Sequence, residues 1–347
     1  MKFTLTHILL LVNLVSFAQI PEGYYSPAND LSGEQLKSAL HEIIKDHKEF
    51  PYTSSSTDTW DILKQTDKDT ANPENVILFY SGWSVNAAQE YNENTGWSRE
   101  HVWAKSHGDF GTTMGAGTDV HHLRPADITV NSARNNKDFD NGGDIYVDGD
   151  GITECRTDND SWEARDKVKG DIARMLFYMA VRYEGEGDEP DLELVYEVNT
   201  FDLNETGKGY HGKLSTLLQW HLQDPVDSFE INRNNVVYSY QENRNPFIDH
   251  PEYVDLIWGT ETGTGDILKS RSIIIYPNPA LDMINFKLND GGTGWLSMYA
   301  ISGEEVINKK VVGDYILSTK HLDSGLYLIR YIDSNGEVYT RKQLVSK

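Results

Sequence analysis

The chain has 347 residues, of which 38% are hydrophobic and 24% are charged, and this balance excludes a wholly disordered or collagen-like protein. Its length exceeds one typical domain and predicts roughly two folded units. The formal net charge of -23 excludes a generally basic surface for nucleic acid, because phosphate contacts with Lys and Arg dominate such binding. A bound divalent cation could still supply positive charge at one point.

Residues 1–18 predict a secretory signal peptide. Lys2 precedes an apolar run from Ile8 to Val15, and the small residues Ser16 and Ala18 follow. The run is shorter than the ~20 residues that cross a bilayer, which argues against a transmembrane anchor. We therefore expect cleavage after Ala18, export through the periplasm to the medium or cell surface, and no stable membrane insertion.

Residues 19–258 predict a unit that mixes helices and strands. Leu31–His47 and Val168–Gly185 have apolar residues at helical spacing, and Ser32 is the predicted N-cap of the first helix. Cys155 is the only cysteine, so no disulfide can form within the chain, although exported proteins often contain them. Stability must therefore come from the core, alone or with bound metal.

The segment Trp97–Phe139 concentrates polar residues that suit phosphodiester hydrolysis, which needs a base, a cation and an arginine. His101 suits the base because the ordinary pKa of imidazole lies near neutrality. Glu100 offers the hard carboxylate oxygen that Mg²⁺ prefers, and Asn131 offers a neutral amide oxygen. Neighbouring strand residues point to opposite faces, so Glu100 and His101 can share a site only at a twisted strand end or turn, such as one after Asn94–Gly96.

The sequence ADITVNSARNN predicts a helix that begins at Asp127. In that helix, Arg134 and Asn135 lie three and four residues beyond Asn131 and share its face. We expect Arg124 or Arg134 to contact a phosphate. The alternative is that both arginines only form surface ion pairs.

These blocks resemble the bacterial endonuclease I family, which comprises non-specific extracellular or periplasmic nucleases with a ββα-metal site. The Glu100–His101 dipeptide, the Asp119–Leu123 block and the Val130–Asn136 block match motifs of that family. Further matching blocks follow in the same order: Lys169–Arg174, Phe177–Met179, Trp220, Asp224–Val226 and Asn243–Asp249. The chain departs from the family at Ala104 and at Glu163–Arg165, where relatives carry prolines, and neither change removes a catalytic group.

The resemblance implies a role for each matching residue. His101 would be the general base, and Glu100 and Asn131 would bind Mg²⁺ or another divalent cation such as Mn²⁺ or Ca²⁺. The remaining implied residues are Arg134 at the catalytic site or phosphate, Asn136 beside it, and His121 as support for His101. Arg124 joins the supporting set because it lies close in sequence.

Residues 259–271 are rich in Gly and Thr and predict a linker. From residue 272 to 347, short β-branched and aromatic runs predict a small all-β sandwich of about seven strands. The Tyr276–Ala280 block, Gly303 and Gly325–Ile329 resemble the C-terminal sorting domain of the type IX secretion system. This resemblance implies that the type IX secretion machinery is a partner of the chain. The alternative is a carbohydrate-binding or adhesive sandwich.

Two other groups of residues resemble metal sites in composition. His101, His107, His121 and His122 could suggest zinc, but the chain has no CxxC pair and no regular His ligand spacing. At most one of the adjacent His121 and His122 can face the site, and the motif favours His121. The acidic segment Asp140–Glu154, with Asp148 and Asp150, suggests calcium but fails the EF-hand pattern, so a solvated turn is predicted.

We therefore predict an α+β protein, in which a mixed helical nuclease domain with a ββα-metal motif precedes a small all-β sandwich. The predicted activity is metal-dependent hydrolysis of DNA, RNA or both, with little sequence preference, and the resemblance to the endonuclease I family implies 5′-phosphate products. Two alternatives stay open. One is a surface binding or adhesion protein on a degenerate nuclease scaffold, and the other is a phosphodiesterase for a small or lipid substrate.

Overall fold

The computed structural model describes residues 20–91, 96–196, 207–259, 273–277, 279–288, 293–300, 302–333 and 338–346. The predicted signal peptide, residues 92–95 of the predicted turn region and all of the predicted linker except Gly259 lie outside these residues. Among the helices in the described ranges, none has the length and apolar character that spanning a membrane requires.

Helices and short sheets alternate in the described residues up to 259, which we call the nuclease region. Its α-helices are α1 Gly33–Ile44, α2 Thr59–Thr66, α3 Lys105–Gly108, α4 Ile128–Arg134, α5 Lys169–Arg182, α6 Leu214–Gln223, α7 Ser228–Gln241, α8 Pro246–Asp249 and α9 Glu252–Trp258. Its strands are β1 Asn75–Ile77, β2 Ser84–Asn86, β3 Trp97–His101, β4 Leu123–Asp127, β5 Asp138–Phe139, β6 Asp144–Asp148, β7 Gly151–Thr157, β8 Ser161–Glu163, β9 Asp191–Leu194 and β10 Lys208–His211.

Both helices predicted from apolar periodicity are present as α1 and α5. Ser32 occupies the N-cap of α1, but its side chain makes no capping hydrogen bond. The whole of α5 is buried, whereas the sequence predicted only one broad apolar face. The difference arises because its charged residues are paired inside the protein, as Arg174 is with Glu230. Helix α5 is therefore the central element of the nuclease region.

Strands β3 and β4 pair antiparallel, and α4 follows β4 directly, so the three elements form a ββα unit. Asp127 ends β4 and caps α4, because its carboxylate accepts the backbone N–H groups of Thr129 and Val130. The helix ends at Arg134, one residue earlier than predicted. Asn135 leaves the helix with a φ of 56° and a ψ of -125°.

The acidic segment that suggested calcium forms the β6–β7 hairpin, which lies at the edge of the sheet β5-β8-β7-β6. The carboxylate of Asp148 accepts hydrogen bonds from the hydroxyls of Thr129 and Tyr146 and from the backbone N–H of Asp150. These bonds close the turn and join the hairpin to the start of α4. Asp150 itself is exposed, as a solvated turn requires.

The tail, residues 273–346, contains seven strands in its described part, as predicted. They are β11 Ile273–Tyr276, β12 Met283–Leu288, β13 Thr293–Ala300, β14 Glu305–Val312, β15 Tyr315–Ser318, β16 Gly325–Asp333 and β17 Val338–Val345. They form two antiparallel sheets in the orders β11-β12-β15 and β14-β13-β16-β17. Ile284 and Phe286 of the first sheet share one apolar cluster with Leu296 and Met298 of the second, which is a β-sandwich.

Apolar clusters of the nuclease region are built mainly around α5 and around the β3–β4 pair. Trp97, Trp103, Trp162 and Trp220 lie in these clusters and have no exposed surface. The two clusters of the nuclease region and the cluster of the tail have no residue in common. The ββα unit contributes to both clusters of the nuclease region, with Ala126 and Val130 in the cluster around α5 and Trp97 and Leu123 in the other.

Candidate active site

Glu100 lies on β3 with only 2% of its surface exposed. Its Oε1 accepts a hydrogen bond of 2.7 Å from the hydroxyl of Tyr80 and lies 3.2 Å from Nη1 of Arg134. Burial raises the pKa of this carboxyl, while Arg134, Tyr80 and the backbone N–H of His101 oppose the rise. The carboxylate is thus held in one orientation by donors on two sides.

His101 is the last residue of β3, and its ring is buried. Its Nε2 lies 3.0 Å from the carbonyl oxygen of Gly117, so Nε2 carries the proton and Nδ1 keeps its lone pair. The ring stacks on Tyr52 at 5.7 Å and lies 5.6 Å from the ring of His122. Burial and the nearby His122 lower the pKa of His101 well below its usual value, which keeps the imidazole neutral.

Asn131 lies on α4 and is half-buried. Its Nδ2 donates a hydrogen bond of 3.0 Å to the hydroxyl of Ser98, which belongs to the same strand as Glu100. Ser98 and Glu100 are two residues apart, so their side chains leave the strand on the same face. Because the amide nitrogen of Asn131 is engaged with Ser98, its Oδ1 is the atom left for a cation.

Arg134, at the end of α4, is 1% exposed. Besides its ion pair with Glu100, it donates to the carbonyl oxygens of His101 and Val102, at 3.2 and 2.7 Å, and lies over the ring of Phe139. These contacts hold the end of β3 and the carboxylate of Glu100 together. Because the guanidinium of Arg134 is enclosed by these partners, its burial indicates a positioning role and not direct contact with a phosphate.

Of the adjacent His121 and His122, the one that lies beside His101 is His122, whereas the sequence favoured His121. The ring of His122 lies beside His101, whereas the ring of His121 lies 4.4 Å from the ring of Tyr178, tilted by 44°, and contacts Asn243. Among the contacts of the described residues, none joins His121 to His101, so the predicted support of His101 by His121 has no direct contact behind it. Burial lowers the pKa of both His121 and His122 to about 4, so both rings are neutral near pH 7.

Arg124 lies opposite Glu100 in the β3–β4 pair, but its side chain forms its ion pairs with other residues. Arg124 is buried between Asp67 and Asp171, at 2.6 and 3.1 Å, so its ion pairs lie inside the protein and not on the surface. The side chain of Asn136 is exposed, and its backbone oxygen lies 2.8 Å from Nε2 of His107. Arg124 thus links β4 to Asp67 and to Asp171 of α5.

Four residues that the sequence did not point to complete the surroundings of the site. Tyr80 orients Glu100, Gly117 orients His101, Ser98 orients Asn131, and Tyr52 covers one face of the imidazole. No periodicity or motif marks them, because a hydroxyl or a backbone carbonyl becomes a partner only through the tertiary fold. Gly117 alone carries a structural signal, since a Cβ there would lie 2.6 Å from the carbonyl oxygen of Thr113.

The donor set fits a hard divalent cation. Glu100 supplies a carboxylate that is already fixed, and Asn131 supplies an amide oxygen, which are the oxygen ligands that Mg²⁺, Mn²⁺ and Ca²⁺ take. Neither residue offers the sulfur or imidazole nitrogen that a structural zinc site needs. The four histidines that could suggest zinc do not form one cluster, since His107 lies beside His211 and His121 lies beside Tyr178.

Comparison with known families gives two matches along the chain. Residues 32–252 match the family described as Endonuclease I. Residues 274–346 match the family described as Secretion system C-terminal sorting domain. The second match favours the export tail over the carbohydrate-binding or adhesive alternative.

Two relatives are each named extracellular ribonuclease. The protein of Bacillus amyloliquefaciens is 56% identical over 241 residues, which cover 68% of this chain and 78% of the relative. The protein of Bacillus subtilis (strain 168) is 55% identical over 243 residues, with the same shares of the two chains.

Proposed function

This chain belongs to the endonuclease I family, and from that premise we propose that it is a divalent-metal-dependent endonuclease that hydrolyses both RNA and DNA. It is an exported nuclease, since it combines this family with a secretion sorting tail. Cleavage has little sequence preference and leaves 5′-phosphates. The observation that carries the proposal is the neutral, oriented imidazole of His101 on the strand that also bears Glu100.

His101 acts as the general base. The carbonyl oxygen of Gly117 holds the proton on Nε2, so Nδ1 can accept a proton from the attacking water. The lowered pKa of His101 supports this role at neutral pH, because the ring is free of the proton that would block it. Tyr52 and His122 hold the plane of the ring, which maintains the direction of the lone pair.

Glu100 and Asn131 hold the divalent cation. When bound, the cation supplies positive charge that stabilises the extra negative charge on the phosphate and the departing oxygen. Tyr80 and Arg134 restrain the carboxylate of Glu100, and Ser98 restrains the amide of Asn131. Such local charge also supports catalysis on a polyanion by a protein whose formal net charge is -23.

Use of water as the nucleophile decides the substrate range. A nuclease that attacks through the 2′-hydroxyl cuts only RNA and releases a 5′-hydroxyl end. Attack by water needs no 2′-hydroxyl and can expel the 3′-oxygen, which leaves a 3′-hydroxyl on the upstream product and a 5′-phosphate on the downstream product. The relatives named ribonucleases support RNA as a substrate, and the base and cation ligands support DNA as well.

The test compares RNA and DNA oligonucleotides of one sequence, incubated with purified protein and Mg²⁺ or with a chelator. We expect both polymers to be cut, 5′-phosphate ends on both sets of products, and no cleavage with the chelator. His101→Ala should lower the cleavage rate by about 10²–10⁴-fold. The matched control is His321→Ala, which removes an exposed histidine of the tail and should cleave at the native rate.

Three results would contradict the proposal. They are 5′-hydroxyl products from RNA with intact DNA, full activity in the chelator, and equal rates for His101→Ala and the native protein. A His101→Ala protein that keeps its native circular dichroism spectrum excludes misfolding as the cause of lost activity.

A further inference from the structure

Arg134 is supported on the side away from Glu100 by two buried side chains. Its Nη2 lies 3.3 Å from Nε2 of His211, and Nδ1 of His211 lies 2.9 Å from Oδ1 of Asp138. Its Nη1 lies 3.2 Å from Oε1 of Glu100. All four residues are at most 2% exposed, so a continuous buried chain of polar contacts runs from Asp138 to Glu100.

The direction of each hydrogen bond in this chain is fixed. A guanidinium can only donate, so Nε2 of His211 must accept from Arg134. The proton of the neutral ring then resides on Nδ1 and is donated to Asp138. Asp138 also accepts the backbone N–H of Gly212 at 2.8 Å. The ring of His211 therefore has one tautomer, in which Nε2 accepts from Arg134 and Nδ1 donates to Asp138.

The ring of His211 is also fixed by packing. It stacks on Phe139 at 5.5 Å with an angle of 13° between the planes, and Trp103 and His107 lie against it at 5.3 and 4.6 Å. The ring has no exposed surface. Rotation about its side-chain bonds is blocked, so Nε2 presents a fixed acceptor to Arg134.

We propose that His211 is a positioning residue for the metal site: with Asp138 behind it, it fixes Arg134, which in turn fixes the carboxylate of Glu100. The inference rests on the proposed function, in which Glu100 binds the cation. Loss of the acceptor would leave a buried donor of Arg134 without this partner, and the guanidinium would shift towards other acceptors. Partners that orient metal ligands commonly change metal affinity about 10–100-fold when removed.

A second cation site at the same place is the competing interpretation, because His107, Asp138 and His211 bring ligand atoms within 4.8 Å of one another. A cation bound to Nδ1 of His211 would move the ring proton to Nε2. That proton would then oppose the N–H group of Arg134, donor against donor. Both ring nitrogens of His107 also lie beside backbone carbonyl oxygens, at 2.6 and 2.8 Å. The hydrogen bonds therefore favour a positioning chain.

The test uses two substitutions of His211, each of which keeps one of its two hydrogen bonds, to Arg134 or to Asp138. His211→Gln places an amide oxygen near the position of Nε2 and can still accept from Arg134. His211→Asn places an amide nitrogen near the position of Nδ1 and can still donate to Asp138, but it cannot reach Arg134. Binding of Mn²⁺ to the full chain is measured directly by electron paramagnetic resonance, together with kcat and KM for cleavage and the melting temperature.

We expect His211→Asn to raise the Mn²⁺ dissociation constant about 10–100-fold and His211→Gln to restore most of the affinity. KM for the nucleic acid at saturating Mn²⁺ should change by less than about twofold, because only the metal ligand is displaced. Should His211→Asn fail to fold, Asp138→Asn keeps the shape and removes the charge behind His211, and a rise of the dissociation constant of about threefold or more is expected.

Equal Mn²⁺ affinity in His211→Asn and His211→Gln, whether native or weakened, would overturn the inference, because only their packing would then matter. In the fallback, native affinity in Asp138→Asn would also overturn it. Failure of the proposed function gives a different result, since the native chain itself would then bind no Mn²⁺ or would cleave without it.

Discussion

The nuclease region and the tail bury different kinds of side chain. In the nuclease region the buried arginines are Arg99, Arg124, Arg134, Arg174, Arg182, Arg233 and Arg244. In the described part of the tail the buried polar residues are Thr319 and Gln343, and no charged side chain is buried. Charged residues of the tail such as Lys309 and Lys310 are exposed.

The difference follows from what each region must hold in place. A buried ion pair adds little net stability, because the loss of hydration offsets the attraction between the charges. It does fix the relative position of its partners, as Arg124 does by contacting both Asp67 and Asp171. A catalytic site requires such fixed positions. The tail needs only a stable shape, for which apolar packing between two sheets suffices.

The largest expected effect comes from leaving one buried charge without its partner. Arg174 contacts both carboxylate oxygens of Glu230, and both side chains are buried. Arg174→Met should lower the free energy of unfolding of the nuclease region by about 3–5 kcal/mol, measured by urea denaturation. The double variant Arg174→Met with Glu230→Leu should recover most of this loss.

The control for that variant is Arg330→Met in the tail. Arg330 is exposed, so the same substitution should change stability by less than about 0.5 kcal/mol. Similar losses for Arg174→Met and Arg330→Met would contradict the proposed difference between the two regions.

A slightly smaller effect is expected from the apolar core of the tail. Leu296 has no exposed surface, and Leu296→Ala should destabilise the tail by about 2–4 kcal/mol by leaving a cavity. Limited proteolysis should then cut the tail faster, while the rate of nucleic-acid cleavage stays native. Leu328→Ala is the matched control, because Leu328 is 43% exposed. Lost cleavage activity in Leu296→Ala would show that the regions depend on each other.

Acid should weaken the nuclease region before the tail. Burial lowers the pKa of His121 and His122 to about 4 and that of His221 to about 3, so these rings stay neutral in the folded protein while unfolded histidines take up protons below about pH 6.5. The folded state then binds fewer protons, and its stability falls as pH drops from about 6.5 towards 4. Urea denaturation at about pH 7.5 and about pH 5 measures this loss.

A single substitution isolates the contribution of one ring. His221→Gln should reduce the difference in stability between these two pH values by on the order of 1–2 kcal/mol, because Gln takes up no proton. His321→Gln, at an exposed position of the tail, should leave the difference unchanged. A native protein equally stable at both pH values would contradict the prediction.

Local sequence signals predicted the elements that carry the site but not the contacts that orient it. The Glu100–His101 dipeptide and the helix of Asn131 follow from motif and capping, which act over a few residues. The partners Tyr80 and His211 lie 20 residues from Glu100 and 77 residues from Arg134 along the chain. Such pairs are created by packing between elements that are distant along the chain, so no residue spacing in a single sequence predicts them.

The same limit explains the histidine pair and the buried helix. Motif position favoured His121 beside His101, but the loop before β4 turns His122 towards it. Periodicity gave α5 one apolar face, because an arginine counts as polar until its buried partner is known. In the tail the prediction of seven strands was confirmed, since alternation of apolar residues is itself a local signal.

Removal of the tail should have the smallest effect on cleavage. The apolar clusters of the nuclease region and the tail share no residue, and the match to the endonuclease I family ends at residue 252. The residues proposed for catalysis and their partners lie between Tyr52 and His211. A chain that ends at Gly259 should therefore fold alone and cleave RNA and DNA within about twofold of the full chain. Cleavage rates at matched protein and Mg²⁺ concentrations measure this, and a loss well beyond twofold in a folded truncated protein would mean that the tail helps to form the active nuclease.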